Sequence, residues 1–252
     1  WEFFEGGRHE LVLENTSSQG GRFLFKLICR KGPCDDTESE DPTISEPDSC
    51  PEASGSQLEG VLEEDYRPDR SLGYGDARYT IFSDLNNEGG VVEGIYSAKT
   101  IETRQIPDPE EFNTEHVWPR SLMHSENGLQ FSDMHHLFPA YAEANKVRSN
   151  LPFDEVSQSE EWSVGGSSKG RNQRGWEVFE PRDSRKGDIA RAVFYYASVY
   201  DRDVYIDSQS DGRGIGSGNE GVLRKWHSED PVSDTERSRS DIISEIQGNR
   251  NP

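Results

Sequence analysis

The chain has 252 residues, 31% of them hydrophobic and 30% charged, and its formal net charge is −21 at pH 7. Its length suits one large domain, or one domain with a small additional module. Because no apolar run is long enough to cross a bilayer, the sequence excludes a membrane-spanning helix. The chain begins with Trp1 rather than Met and has no signal-peptide pattern, so we interpret it as a processed or trimmed chain.

The negative charge is distributed unevenly along the chain. Residues 1–66 contain sixteen acidic and five basic residues, a local charge of −11, whereas residues 169–191 contain seven basic and four acidic residues, a local charge of +3. Binding of a polyanion depends on the electrostatic field at the site and not on the charge of the whole chain. The composition therefore does not exclude nucleic acid as a partner.

The first part of the chain, residues 1–57, predicts a β-rich segment that leads into an acidic linker. Two short strands are predicted over residues 11–13 and 23–28, and the stretch 31–57 is rich in Asp, Glu, Ser, Pro and Gly. This segment also contains all three cysteines. A Cys34–Cys50 disulfide and three unpaired thiols are both compatible with the pattern.

From residue 58 to residue 252 the pattern changes to one of helices around short strands. Apolar residues recur at helical spacing in some segments and in short β-like runs in others. The predicted helices cover residues 74–85, 140–148, 186–200 and 233–247, and the predicted strands cover residues 91–96, 112–118 and 134–138. Residues 207–221, rich in Gly, Ser and Asp, predict a loop. The fold class expected for this second domain is α+β.

Histidine is concentrated in one short window of the second domain. Four of the six histidines lie within it, namely His116, His124, His135 and His136. Such a density indicates either a metal site or an acid–base centre. The two adjacent histidines and the lack of nearby cysteine match no familiar zinc spacing, which makes a zinc cage the weaker interpretation.

Three neighbouring segments suggest how this centre is built. Residues 113–121 predict a strand end, residues 132–139 a return strand, and residues 145–150 a following helix. A strand with a base, a return strand and a helix with a metal ligand form the layout of a ββα-metal nuclease finger. The sequence thus predicts a metal-dependent phosphodiesterase centre.

The residues of these segments resemble the endonuclease I family of bacterial periplasmic and extracellular nucleases, within the His-Me finger superfamily. The resemblance covers residues 66–252 and includes five blocks in the family's order. The blocks are Glu-His-Val-Trp-Pro-Arg-Ser from residue 115, Asp-Met-His-His-Leu-Phe-Pro from 133, Ala-Asn-Lys-Val-Arg-Ser-Asn from 144, the helix from 186, and the segment 223–252. The resemblance implies a ββα-metal core surrounded by helices, and a secreted or periplasmic enzyme.

The resemblance also implies roles for individual residues. His116 matches the general base, and a neutral imidazole is suited to take a proton from water. Glu115 and Asn145 match the metal ligands, which would hold Mg²⁺, with Mn²⁺ or Ca²⁺ as alternatives. Arg148 lies one helical turn from Asn145 and is predicted to clamp the scissile phosphate, unless it is a surface residue paired with Glu143 or Asp154.

Two further questions stay open at the level of sequence. Glu115 and His116 are consecutive, so both can face one phosphate only where the strand twists or ends, which Pro119 favours. Asp133 is expected either to orient the imidazole of His116 or to cap a turn. At most one residue of the pair His135 and His136 would face the site, and core or hydrogen-bonding roles are favoured for both.

Nucleic acid is the partner that these assignments imply. We predict that cleavage of DNA and RNA is non-specific, because no segment resembles a recognition helix. We also predict a monomer without membrane contact. The phosphate-binding residues are expected to be Arg120, Lys169, Arg171, Arg174, Arg185 and Lys186. Trp118 and Trp226 are expected in the core rather than stacked on bases. The alternatives are an inactive nucleic-acid-binding module and an adhesion protein with an acidic, Ca²⁺-binding first segment.

Overall fold

A computed structural model describes residues 8–13, 25–30, 60, 65–123, 128–200 and 220–251. The predicted boundary at residue 57, the Cys34–Cys50 pair and most of the predicted loop at 207–221 lie outside these ranges. None of the helices within them combines the length and the apolar composition that crossing a bilayer requires.

The strands of the described residues form small antiparallel sheets. They are β1 (Arg8–Leu13), β2 (Phe25–Arg30), β3 (Asn87–Glu88), β4 (Val91–Glu93), β5 (Thr100–Glu102), β6 (Phe112–His116), β7 (Leu137–Tyr141), β8 (Gln158–Val164), β9 (Ser167–Arg171) and β10 (Glu177–Glu180). β1 pairs with β2, β4 lies between β3 and β5, β6 pairs with β7, and β9 lies between β8 and β10. The predicted strands near the start of the chain correspond to β1 and β2.

The α-helices surround these sheets. They are α1 (Tyr74–Thr80), α2 (Leu129–Ser132), α3 (Ala142–Arg148), α4 (Lys186–Val199), α5 (Glu220–Glu229) and α6 (Asp234–Gln247). The segment Ile81–Leu85 continues α1 as a π-helical turn, so the helix predicted over 74–85 is present with a change of winding. The three later predicted helices are confirmed to within two residues at each end. The α+β fold class is confirmed.

Two clusters of buried side chains lie on either side of the β6–β7 pair. The larger cluster packs α4 against Trp118 and Trp226, which are 1% and 0% exposed, so their predicted place in the core is confirmed. The smaller cluster packs the α1 segment against Leu137 of β7 and Ile243 of α6. The β6–β7 pair is thereby held between two rigid layers, which limits the movement of the side chains that it carries.

Three strands predicted in the second domain differ from the structure, and the one predicted over 112–118 ends two residues early, at His116. The strand predicted over 134–138 is wrong in its first half, because Met134–His136 form a 3₁₀ turn and β7 begins only at Leu137. The carboxylate of Asp133 accepts a hydrogen bond from the His135 amide at 3.0 Å and so caps this turn. The strand predicted over 91–96 ends at Glu93, and Gly94 follows in a turn closed on Ser97.

The N-terminus of α6 carries a capping box, which gives a stability prediction. Ser233 Oγ accepts a hydrogen bond from the Glu236 amide at 3.2 Å, and the Glu236 carboxylate accepts one from the Ser233 amide at 3.1 Å. Ser233→Ala should lower the free energy of unfolding by ~1 kcal/mol, because one helix donor loses its partner. Urea unfolding checks this, with the exposed mid-helix change Ser238→Ala as the control. An equal loss in both variants would contradict the capping role.

Candidate active site and family

The β6–β7 pair and α3 form a strand–strand–helix unit that carries the predicted site. Glu115 lies opposite Phe138 and His116 opposite Leu137 in the antiparallel register. α3 begins directly after β7 and packs back against β6. Residues distant in sequence therefore meet at the end of one short strand.

The Glu115 carboxylate is buried, with 2% of the residue exposed. Its Oε1 accepts hydrogen bonds from the Tyr96 hydroxyl and from Arg148 Nη1, both at 2.7 Å. Its Oε2 accepts no hydrogen bond from any residue that the structure describes. Burial raises the pKa of Glu115, and the charge of Arg148 and the Tyr96 hydroxyl oppose this rise. One carboxylate oxygen is thus fixed and the other is left available to a ligand.

Arg148 is buried rather than exposed, with 1% of the residue accessible. Its Nη1 also donates to the His116 carbonyl at 3.1 Å, and its Nη2 donates to the Val117 carbonyl at 2.5 Å. The guanidinium lies 4.4 Å from the centre of the Phe153 ring. The alternative of a surface arginine paired with Glu143 or Asp154 is therefore wrong. In this arrangement Arg148 holds the Glu115 carboxylate and the end of β6.

His116 is held by its ring and by one nitrogen. The ring stacks on Phe131 with centroids 5.1 Å apart and lies 5.4 Å from the Tyr74 ring. His116 Nε2 lies 3.0 Å from the Phe131 carbonyl oxygen. Burial, with a contribution from the charge of His136, lowers the pKa of His116 to about 3, so the imidazole is neutral at physiological pH. Since a carbonyl can only accept, the proton resides on Nε2 and Nδ1 carries the free lone pair.

Asn145 presents its amide oxygen to a ligand, because its amide nitrogen is already hydrogen-bonded within the protein. Its Nδ2 donates to Asn113 Oδ1 at 2.7 Å, and the Thr114 carbonyl lies 3.5 Å away. Asn113 is itself oriented, because its Nδ2 donates to the Pro109 carbonyl at 3.3 Å. This chain of donors and acceptors assigns which way each amide points. Asn145 Oδ1 accepts no hydrogen bond within the described residues.

The available oxygens suit a hard cation better than zinc. Magnesium prefers carboxylate and amide oxygens and retains several waters, so it needs few protein ligands. Glu115 Oε2 and Asn145 Oδ1 are of this kind. The described ranges contain no group of three or more His, Cys, Asp or Glu side chains placed to hold a metal, which a zinc cage would require. His124, the fourth histidine of the window, lies outside those ranges.

Glu115 and His116 leave β6 on opposite sides, as strand alternation requires. Glu115 contacts Tyr96 and Arg148, whereas His116 contacts Tyr74 and Phe131. β6 ends at His116. The strand end that the sequence analysis required for both side chains to face one phosphate is therefore present.

Comparison with known proteins identifies the family. The model of the Endonuclease I family matches residues 68–252, which is most of the chain. The chain belongs to the endonuclease I family. The resemblance predicted from the sequence blocks is confirmed, and the strand–strand–helix unit lies inside the matched region.

Several relatives of this endonuclease I chain have names that refer to nucleases. An extracellular ribonuclease of Bacillus subtilis is 40% identical over 152 residues, which is 56% of this chain and 50% of the relative. An extracellular deoxyribonuclease of Aeromonas hydrophila is 29% identical over 125 residues, 48% of each chain. The chain thus spans about half the length of these relatives. Their names, with that of a periplasmic deoxyribonuclease, agree with the predicted secreted or periplasmic location.

The predicted phosphate-binding cations lie in different surroundings. Arg120 is exposed next to the site, with its guanidinium 5.0 Å from the Phe131 ring. Lys169 lies 3.4 Å from Glu161 and 3.6 Å from Glu177, and Lys186 binds Glu180 at 2.7 Å. The positive segment 169–191 therefore carries less free charge than its sequence indicates.

The other cations of this group are also engaged. Arg171 donates to the Gly175 carbonyl at 2.8 Å, and Arg174 lies over the Trp176 ring at 5.2 Å. Arg185 binds Asp188 at 2.9 Å. Contact of any of these residues with nucleic acid stays a prediction.

The second pair of histidines lies in the turn before β7 rather than on a strand. His136 Nε2 lies 2.7 Å from the Gln130 carbonyl, and its ring centroid is 5.6 Å from that of His116. His135 Nε2 instead lies 3.2 Å from the Asn249 carbonyl. At most one of the two therefore faces His116, as expected, and both are buried and hydrogen-bonded, but the strand placement on which that expectation rested is wrong. Consecutive residues of a 3₁₀ turn point about 120° apart rather than to opposite faces.

Sequence reasoning missed a buried network that supports this turn. Asp133 accepts hydrogen bonds from the hydroxyls of Tyr195 and Tyr200 at 2.5 and 2.7 Å and from Gln247 Nε2 at 2.9 Å. Asn249 Nδ2 donates to the Tyr195 hydroxyl at 2.6 Å. The family's C-terminal block thus fixes the histidine turn. Of the two roles expected for Asp133, turn capping is observed, while the imidazole of His116 is oriented by a backbone carbonyl.

The Asp133 network gives a pH-dependent prediction. Burial alone would raise the pKa of Asp133, but the charges of His135 and His136 and the donated hydrogen bonds outweigh it, so the pKa is lowered. A lowered carboxyl pKa adds stability above the unfolded-state pKa of ~3.9, and this stability is lost as pH falls through the folded-state pKa. Asp133→Asn should therefore destabilise the chain by ~2 kcal/mol at pH 7 and by less in acid. Urea unfolding from pH 7 to pH 3 measures this, and a pH-independent difference would contradict it.

Proposed function

We propose that the chain is a secreted, metal-dependent endonuclease that hydrolyses phosphodiester bonds of DNA and RNA without sequence specificity. One observation carries the proposal: Glu115 and His116 end strand β6, Asn145 lies on the helix α3 that packs against this strand, and each of the three has an unused acceptor atom. We interpret the β6–β7–α3 unit as the ββα-metal core of a His-Me finger nuclease. Family membership supports the interpretation.

His116 acts as the general base in this proposal. Its Nδ1 removes a proton from a water molecule, whose oxygen forms a bond to phosphorus while the bond from phosphorus to the 3′ oxygen breaks. The leaving 3′ oxygen takes a proton from solvent water, so the products are a 5′-phosphate and a 3′-hydroxyl, and the proton on His116 returns to solvent. The bond from Nε2 to the Phe131 carbonyl keeps the ring in the tautomer that this role needs.

Glu115 Oε2 and Asn145 Oδ1 would hold the metal ion, Mg²⁺ by preference and Mn²⁺ or Ca²⁺ as alternatives. When bound, the ion supplies positive charge that stabilises the pentacoordinate phosphorus and the leaving oxygen. Arg148 keeps the Glu115 carboxylate in place through Oε1. It is therefore a positioning residue rather than the phosphate clamp expected from sequence.

We infer the substrate class from the names of the relatives and from the sequence, in which no segment resembles a recognition helix. The relatives include ribonucleases and deoxyribonucleases, so we extend the proposal to both nucleic acids. Phosphate contacts give affinity without reading sequence, and we propose that Arg120, whose guanidinium lies 5.0 Å from the Phe131 ring, makes one such contact. We expect one chain to suffice for activity, because all proposed ligands come from one strand–strand–helix unit.

Cleavage with and without a divalent metal tests the proposal. Supercoiled plasmid and a structured RNA are incubated with the chain in Mg²⁺, in chelator, and in chelator followed by excess Mg²⁺. We expect cleavage of both substrates in Mg²⁺, none in chelator, and recovery on re-addition. Asn145→Ala should need more Mg²⁺ for half-maximal activity, whereas Asn150→Ala, on the same segment, should not. Full activity in chelator would refute the metal requirement, and no cleavage under any condition would refute the proposed function.

A further inference from the structure

Two side-chain pairs join β6 to the helix α3 that packs against it. Asn113 and Glu115 are two positions apart on β6, so their side chains leave the strand on the same face. Arg148 of α3 donates to Glu115 at 2.7 Å, and Asn145, one helical turn earlier, donates to Asn113 at 2.7 Å. One pair fixes Glu115 Oε1, and the other contains the proposed metal ligand Asn145.

The amide group of Asn145 could present either its oxygen or its nitrogen to a cation. The two ends are similar in size, so packing does not choose between them, and only the oxygen can ligate a metal. The choice depends on the partners of Nδ2, which are Asn113 Oδ1 at 2.7 Å and the Thr114 carbonyl at 3.5 Å. The longer contact exceeds the usual range of a hydrogen bond. The bond to Asn113 is therefore the main contact that selects the orientation.

Asn113 can select this orientation because its own amide is fixed. Its Nδ2 donates to the Pro109 carbonyl at 3.3 Å, which leaves Oδ1 directed at Asn145. The turn that carries Pro109 is closed in part by the Asp108 carboxylate, which accepts a hydrogen bond from the Glu110 amide at 3.0 Å. Reversal of either asparagine amide would oppose two acceptors or two donors and lose a hydrogen bond.

We infer that Asn113 is a positioning residue for the proposed metal site, because its amide oxygen holds Asn145 with Oδ1 directed toward the cation. The inference rests on the proposed function, in which Asn145 is a metal ligand. Asn113 contributes no ligand atom in this role. Groups that orient metal ligands typically change metal affinity by about 10- to 100-fold, and one neutral hydrogen bond favours the lower end of that range.

Binding of Mn²⁺ to the full chain without nucleic acid tests the inference, with the free ion measured by electron paramagnetic resonance. Asn113→Ala should raise the Kd for Mn²⁺ about tenfold, and Asn145→Ala should raise it at least as much. Asn150→Ala, an exposed change of the same kind just after α3, should leave the Kd unchanged.

The Asn145→Asp background separates orientation of the ligand from support of the fold. A carboxylate presents an oxygen to the metal in either orientation, so it does not need to be oriented. In this background Asn113→Ala should therefore raise the Kd for Mn²⁺ less than about threefold.

An equal loss of Mn²⁺ affinity from Asn113→Ala in the wild-type and Asn145→Asp backgrounds would show that Asn113 supports only the fold, and it would overturn the inference. The inference would also be overturned if Asn113→Ala bound Mn²⁺ like the wild type while Asn145→Ala did not, and the proposed function would then stand. If Asn145→Ala itself bound Mn²⁺ like the wild type, the proposed metal ligand would be wrong and the inference would be overturned with it.

Discussion

Replacing His116 with alanine should lower the rate of DNA and RNA cleavage by about 10³-fold, within the range that a positioned general base contributes. The reason is that Nδ1 of this residue is the free acceptor at the end of β6, since Nε2 is engaged with the Phe131 carbonyl. The measurement is the initial rate of plasmid nicking in saturating Mg²⁺. The affinity for Mg²⁺ should change little, because His116 is not one of the proposed ligands.

His227→Ala is the matched control for this change. His227 is half-buried on α5, where its Nδ1 lies 3.4 Å from Arg191 Nη1, and it contacts none of the proposed catalytic residues. Its replacement should leave the cleavage rate within about twofold of the wild type, since it removes no group that handles the proton. If the His116 variant cut nucleic acid as fast as the His227 variant, the base would have to be another residue.

Arg148→Met should cause the largest loss of stability, ~3 to 5 kcal/mol, because it leaves the Glu115 carboxylate buried without its counter-charge. The two side chains are 1% and 3% exposed and their atoms are 2.7 Å apart. Glu115→Gln should also destabilise the chain, because it leaves the Arg148 guanidinium buried without its counter-charge. The double variant should lose less than the sum of the two by at least ~1 kcal/mol, since it removes both charges together. Urea unfolding of the four chains gives this coupling energy.

An exposed ion pair provides the comparison for the buried one. Lys225 and Glu155 are 2.7 Å apart but 51% and 41% exposed, so Lys225→Gln should leave the unfolding midpoint unchanged. Strict additivity of Arg148→Met and Glu115→Gln would contradict the positioning role of Arg148. So would a stable Arg148→Met chain that has lost activity through weaker substrate binding, because that is the behaviour of a phosphate clamp.

Sequence analysis predicted the helices whose pattern of residues lies within one short segment of the chain. The helices at 140–148, 186–200 and 233–247 follow apolar periodicity or strong helix formers, and the structure has them within two residues. Ordered blocks of residues identified the family. Both kinds of signal lie within short segments, so a single sequence contains them in full.

The parts that depend on distant contacts could not be predicted in this way. The burial of Arg148 depends on carbonyls at the end of β6, more than thirty positions earlier in the chain. The turn at His135 depends on Gln247 and Asn249, which are more than a hundred positions later. Alternation along a strand could not anticipate that turn, because the cap on Asp133 and the C-terminal block together override the local β propensity.

The measurement that tests the central claim most directly is chemical rescue of the His116→Ala chain by imidazole in saturating Mg²⁺. The account predicts a plasmid-cleavage rate that rises with the concentration of neutral imidazole, because the added base can accept the proton that His116 Nδ1 would take. Glu115→Gln should gain nothing from imidazole, since it lacks a metal ligand rather than the base. A folded His116→Ala chain that binds Mg²⁺ like the wild type, yet is not accelerated by imidazole, would contradict the assignment of His116 as the general base.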